Sequence, residues 1–169
     1  MHFFRKINRA TLIAATMILS GCMATAPQPK TEKSMFIVMK TPKLRYADQG
    51  FVSRTPSQVG VEIYANGAAV MKLTITASQV CNGSGLFGCM SKKAFNKRFL
   101  SAYYPADTLE QIFRGRPLFG GAGMQKQAGG FRQKITKEGQ YAIEYTVLNG
   151  SIVFRDTISH ILIKVKENR

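Results

Sequence analysis

The feature that most restricts the fold of this chain is a strand–turn–strand pattern that occurs twice, each time around an Asn-Gly dipeptide. In VGVEIYANGAAVMKLTIT, Val59, Val61 and Ile63 alternate with Gly60, Glu62 and Tyr64. Asn66-Gly67 supplies two residues that tolerate positive φ, as a two-residue hairpin requires, and Ala69, Met71, Leu73 and Ile75 alternate on the return. In QYAIEYTVLNGSIVFRDTISHILIKVK, Tyr141, Ile143, Tyr145 and Val147 share one face before Asn149-Gly150 turns the chain. Ile152 and Phe154 come back, and Ile161, Ile163 and Val165 continue the alternation, with His160 inside this β run. A period of two with one apolar face predicts antiparallel strands covered on one side. The flanking sequences differ, so this is not an internal repeat. MFIVMK, Met35 to Lys40, is apolar on both sides and reads as a strand covered on both faces.

Between the two β blocks the spacing becomes helical. Ser91 can cap a helix on which Phe95 and Phe99 stack at i, i+4, with Lys92, Lys93 and Lys97 elsewhere on its surface. Pro105 breaks it. Asp107 followed by Glu110 has the spacing of a capping box for a second short helix; Leu109, Ile112 and Phe113 form its apolar side and Gly115 ends it. The expected architecture is a mainly β, antiparallel β-sandwich, an immunoglobulin-like variant, with a short two-helix insertion at about 90–115.

The N-terminus has a different character. MHFFRKINR carries Arg5, Lys6 and Arg9 without an acid, ATLIAATMIL is mostly apolar, and small Ser20 and Gly21 come next. That is the order of a secretory signal, and the apolar run is well short of the roughly 20 residues of a membrane span. Leu19-Ser20-Gly21-Cys22 resembles the lipobox of bacterial lipoproteins at all four positions. The resemblance implies lipid on the Cys22 thiol, cleavage before it and acylation, such as by palmitate, of the new amino group. More than one acyl chain makes such anchoring stable. Met23 stands where an Asp would favour the inner membrane. The implied location is therefore the outer membrane, facing the periplasm, with the cell surface as the other possible side. An exported protein with a coincidental cysteine is the alternative. The expected organisation is a signal peptide at 1–21, a Pro-containing polar tether at 22–34 and one domain at 35–169.

Cys81 and Cys89 remain, in VCNGSGLFGCM. An even pair in an exported chain reads as a disulfide, and the glycines between let the chain turn back. A redox pair usually has two intervening residues rather than seven, and zinc would need further Cys or His ligands where the mature chain has only His160.

Removal of the signal peptide leaves 148 residues at a formal charge of +12, since three of the +15 lie in the leader. The length suffices for one real core. The charge suggests an anionic partner, and export replaces nucleic acid with lipid phosphates, lipopolysaccharide, wall polymers and acidic proteins. Ten Lys or Arg fall between Lys92 and Lys137, opposed by Asp107 and Glu110 alone. The candidate anion-binding residues are Lys92, Lys93, Lys97, Arg98, Arg114 and Arg116. RGRPLFGGAGMQKQAGGFR matches no phosphate-binding or dinucleotide motif and reads as a mobile basic loop, with an anion site as the alternative.

No catalytic or metal-binding constellation emerges. Asp156, Ser159 and His160 are neighbours on one expected strand and do not converge there as a triad, and the acids show no paired spacing. The chain reads as a non-enzyme with no cofactor other than the covalent lipid. CMSKKAFNKRFLSAYYPADTLEQIFRGRPLF, Cys89 to Phe119, resembles a segment of small envelope lipoproteins of Helicobacter- and Campylobacter-type bacteria, some with immunoglobulin-like variants. This implies a role in envelope assembly. The expected function is a non-catalytic outer-membrane lipoprotein that binds another envelope protein. The alternative is a carrier or assembly factor for an anionic lipid such as lipopolysaccharide. That alternative is based on the cationic insertion with Phe95, Phe99, Tyr103, Tyr104 and Phe113, aromatics that suit core packing better.

Overall fold

Both Asn-Gly turns form. In the computed structural model, which describes the backbone of residues 31–167 and side chains from residue 34 onward, Asn66 and Gly67 have φ of 51° and 79°, and Asn149 and Gly150 have 48° and 78°. Only residues that tolerate the left-handed region turn a hairpin this tightly. The expected signal peptide and the expected lipidation site at Cys22 lie outside the described residues.

Each hairpin belongs to a longer meander. The first runs through β1 (Thr31–Lys40), β2 (Arg45–Arg54), β3 (Gln58–Ala65), β4 (Ala68–Thr76), β5 (Gln79–Asn82) and β6 (Cys89–Ser91). Helices α1 (Lys92–Phe99) and α2 (Thr108–Arg114) and a 3-10 turn at Phe119–Gly121 come next. The second meander comprises β7 (Met124–Gln127), β8 (Gly130–Lys137), β9 (Tyr141–Leu148), β10 (Ser151–Asp156) and β11 (Ile161–Glu167). β1 pairs antiparallel with β11, so the halves join as one eleven-stranded sheet in the order β6-β5-β4-β3-β2-β1-β11-β10-β9-β8-β7. The mainly β, antiparallel architecture with two inserted helices is the expected one, and no Greek-key crossing occurs among the described strands. β1 begins at Thr31, within the segment read as tether.

The sheet must curl. Four strand spacings separate β3 from β10, about 19 Å on a flat sheet, whereas a seven-residue helix is only about 10 Å long. Yet α2 packs on both. Arg54 at the end of β2 donates from Nε to the Phe113 carbonyl at 2.7 Å, and a Cβ on Gly115 would lie 3.4 Å from Val147 and 3.7 Å from Ile152. The two halves of the sheet thus face each other across the helices, which fill the interior like the layer between two slices.

The inner face carries the alternating residues. Val59, Val61 and Ile63 pair across from Ile75, Leu73 and Met71, all buried, and Ile143, Tyr145, Phe154, Ile163 and Val165 close the core from the other half. Ala69 departs from expectation: a register shift between Ile63 and Tyr64 pairs it with Tyr64 and leaves it exposed. A bulge adds one residue to one strand, and the side chains beyond it then point to opposite faces from those the alternation predicts. In β1, Met35, Ile37 and Met39 are buried inside, while on the other face Val38 is 8% exposed and Phe36 40% exposed. That strand is covered on one side and only partly on the other.

The supposed mobile basic loop is ordered as β7 and β8, joined at Ala128-Gly129. Its polar strand β7 lacks apolar alternation and is exposed throughout, which hid it from pattern reading. His160 is likewise not in a strand; it sits in the turn before β11 with φ of 54°.

Candidate functional site

The interior of the insertion is built from charge as well as from aromatic rings. Ser91 Oγ accepts from the Ala94 N–H at 3.1 Å, capping α1 as expected. Phe95 and Phe99 lie with ring centroids 5.0 Å apart, and Phe87 packs on both at 5.7 and 4.9 Å. Phe87 belongs to the loop closed by the Cys81–Cys89 disulfide, which links directly paired residues of β5 and β6. The staple therefore holds an aromatic lid over α1.

The expected capping box at α2 is not made. Asp107 has helical backbone angles and no side-chain cap bond; its carboxylate accepts from Gln111 Nε2 instead. Glu110 is taken by two cations, Lys92 Nζ from α1 and Arg114 Nε at 2.8 Å. Burial opposes ionisation of Glu110, but these two hydrogen-bonded charges outweigh it and hold the carboxyl below its usual range. Arg114 also donates to the Thr55 carbonyl at 2.9 Å, tying α2 to the turn after β2. Burial first, then the Arg114 charge, lowers the pKa of Arg54 beside it.

The six basic residues singled out in the sequence therefore separate. Lys92 and Arg114 are largely buried and paired within the fold. Lys93, Lys97, Arg98 and Arg116 are exposed, with the Arg98 guanidinium 5.1 Å from the Phe99 ring centroid. Of the interleaved aromatics, Phe95, Phe99, Tyr104 and Phe113 are buried in the core and Tyr103 alone is exposed, at 57%.

Asp156 is engaged by groups other than His160. Its carboxylate accepts from Tyr104 Oη, from the Ala142 N–H at 2.9 Å and from the Ile158 N–H at 3.0 Å. Burial raises its pKa, but these bonds and one from Ser159 overcome that and keep the carboxyl below its usual value. The Tyr104 hydroxyl is pushed strongly up by burial and by the neighbouring carboxylate. The group joins the inter-helix segment to β9, β10 and the turn after β10. Gln133, fully buried on β8, similarly grips the segment after α2. Its amide donates to the Leu118 and Ala122 carbonyls at 3.0 and 2.8 Å, and its oxygen accepts from the Leu118 N–H at 2.8 Å.

The outer face of the sheet is the other candidate. On its first half, Phe36 (40% exposed) and Phe51 (38%) share that face with Tyr64, which meets Phe51 edge-on at 5.9 Å, beside a Glu62–Lys72 ion pair of 2.9 Å. On its second half the register aligns cations. One row runs Lys40, Leu162, Arg155, Glu144, Lys134 across β1, β11, β10, β9 and β8; the next runs Val38, Lys164, Val153, Thr146, Arg132. Lys166 extends the face beside Phe36. These six cations are exposed and make no ion pair among the described residues. Sequence reading counted Arg132 and Lys134 only as part of the basic segment and missed the grouping, because the six lie in four separate strands, although each occupies the outward position of its alternation, as Lys164 and Lys166 do in ILIKVKE. A shallow cavity of about 390 Å³ at the Lys40 end is lined by Lys40, Arg155, Asp156, Thr157, His160 and Leu162, among others.

Among the described residues, no three His, Cys, Asp or Glu side chains group as a metal site would need, and no helix is long and apolar enough to cross a membrane. No protein-family model matches the chain, and no curated protein is similar to it.

Proposed function

We propose that this protein is a non-catalytic, lipid-tethered module of the outer membrane that holds another envelope protein against the aromatic patch on the first half of its sheet's outer face. The observation that carries the reading is the patch of exposed Phe36 and Phe51, with half-buried Tyr64 beside Phe51, on the outer face of the sheet. Large exposed aromatics are the residue types that anchor protein interfaces. The buried polar groups support it too: Glu110 joins α1 to α2, and Asp156 and Gln133 fasten the segments around the helices to the sheet. The lipid-carrier reading at the insertion loses its apolar half, since its aromatics are mostly core. The Leu19-Ser20-Gly21-Cys22 motif supplies the tether.

A photo-crosslinking side chain at position 51, compared in intact cells with one at position 93 on α1, tests the patch. A discrete protein adduct from 51 alone is expected, abolished by Phe36→Ser with unchanged thermal stability. Identical adduct patterns from 51 and 93 would overturn the reading. The tether is tested separately: Cys22→Ser should abolish acyl labelling and release the chain from the membrane fraction or stall it as a precursor. Unchanged labelling would remove the lipoprotein reading.

A further inference from the structure

We infer that the outer face formed by β1 and β8–β11 lies against the phosphate-bearing anionic lipid surface of the membrane that the tether would hold the chain to. The inference rests on the tether reading for proximity and on the register of the sheet for chemistry. Lys40, Arg132, Lys134, Arg155, Lys164 and Lys166 occupy outward positions on neighbouring strands and are opposed on that face by Glu144 alone among the described residues. A surface with so one-sided a balance is complementary to lipid phosphates.

The apolar residues between the cations fit the same occupant. Val153 and Leu162 are half-buried and Val38 nearly covered, each flanked across the sheet by basic side chains. Lysine and arginine stems lie along such apolar surface while their heads reach a polar boundary, the arrangement that suits the headgroup region of a bilayer. Chain length permits the geometry. Nine residues lead from Cys22 to Thr31, at most about 32 Å when extended. A lipid on Cys22 therefore keeps the domain within reach of the headgroups it is anchored among. The basic side chains of α1 are not part of this face.

Amine reactivity reads the contact residue by residue. The purified full chain is mixed with vesicles of phosphatidylglycerol and phosphatidylcholine, or of phosphatidylcholine alone, and treated with a water-soluble lysine-acylating reagent. Lys40, Lys134, Lys164 and Lys166 should react at least about fivefold more slowly on the anionic vesicles, since each basic contact contributes about that factor. Lys93 and Lys97 should react equally on both, and the protection should fade between about 0.05 and about 0.5 M salt. Changing Lys40, Arg155, Lys164 and Lys166 together to Gln, all exposed and so compatible with folding, should lower partitioning to anionic vesicles by at least a hundredfold on the same arithmetic. Equal reactivity of the strand lysines on both vesicles would overturn the inference, as would protection of Lys93 and Lys97 instead. Protection seen only in whole envelopes and not on synthetic vesicles would assign the face to an acidic protein and also overturn it. Acyl labelling reports the tether independently: protected strand lysines without a label would keep the face and remove the tether, and a label with unprotected lysines would do the reverse.

Discussion

The helical insertion and the outer face of the second meander are both basic, yet they use charge in opposite ways. In the insertion, Lys92 and Arg114 converge on Glu110 inside the fold, and their energetic value depends on that carboxylate. On the outer face, Lys40, Arg155, Lys164 and Lys166 point to solvent with no ion pair among the described residues. The difference teaches that residue type says little about role here. A buried cation fastens structure because water no longer screens it, whereas an exposed one acts only on something that approaches.

The contrast can be broken most severely at Glu110. Glu110→Ala leaves Lys92 and Arg114 largely buried and unpaired, which should destabilise the fold by about 3 kcal/mol, measured by denaturant unfolding. The pH dependence has a definite sign. Glu110 and Asp156 both have folded-state pKa values held below the ordinary range. Their contribution is complete above the unfolded carboxylate pKa of about 4 and is lost as pH falls through the lower folded values. The wild-type chain should lose stability on acidification below about pH 4, and Glu110→Gln should flatten that dependence. A variant with unaltered stability and acid profile would show that the ion cluster fastens nothing.

A smaller effect is expected from the staple. The disulfide closes a nine-residue loop, counted inclusively from Cys81 to Cys89, and in the chain-entropy model its removal costs about 2.5 kcal/mol. Cys81→Ala with Cys89→Ala should lower the thermal midpoint and raise amide exchange in α1, because Phe87 is then no longer held over Phe95 and Phe99. A loss of stability with exchange at α1 unchanged would separate the staple from the aromatic lid.

The smallest effect sharpens the other side of the comparison. The fourfold Gln variant of Lys40, Arg155, Lys164 and Lys166 should change unfolding stability by no more than about 0.5 kcal/mol, as surface substitutions generally do. A large destabilisation in calorimetry would mean that these side chains belong to the fold after all.

Much of this architecture was present in local sequence. Asn66-Gly67 and Asn149-Gly150 determined two turns, because few residue pairs accept two consecutive positive φ values. The alternations around them determined which side chains face inward, apart from Ala69, where a bulge shifts the register. Ser91 and Gly115 marked a helix start and a helix end. The spacing of Asp107 and Glu110 misled, because Glu110 finds stronger partners in Lys92 and Arg114 than a helix-end N–H could provide. Strand β7 stayed hidden because MQKQ is polar on both sides and takes its conformation from pairing with β8. Sequence by itself determined the class of structure and, through the residues before Cys22, the resemblance to an exported, lipid-bearing chain. Tertiary structure alone decided which cations are neighbours. Lys40 is far in the chain from Arg132, Arg155 and Lys164, which lie in three different strands, and only the antiparallel register, closed through the β1–β11 pair, places them on one face. Periodicity is a property of a single segment and can be read along it; register is a property of pairs, set when two buried faces must meet in the same core.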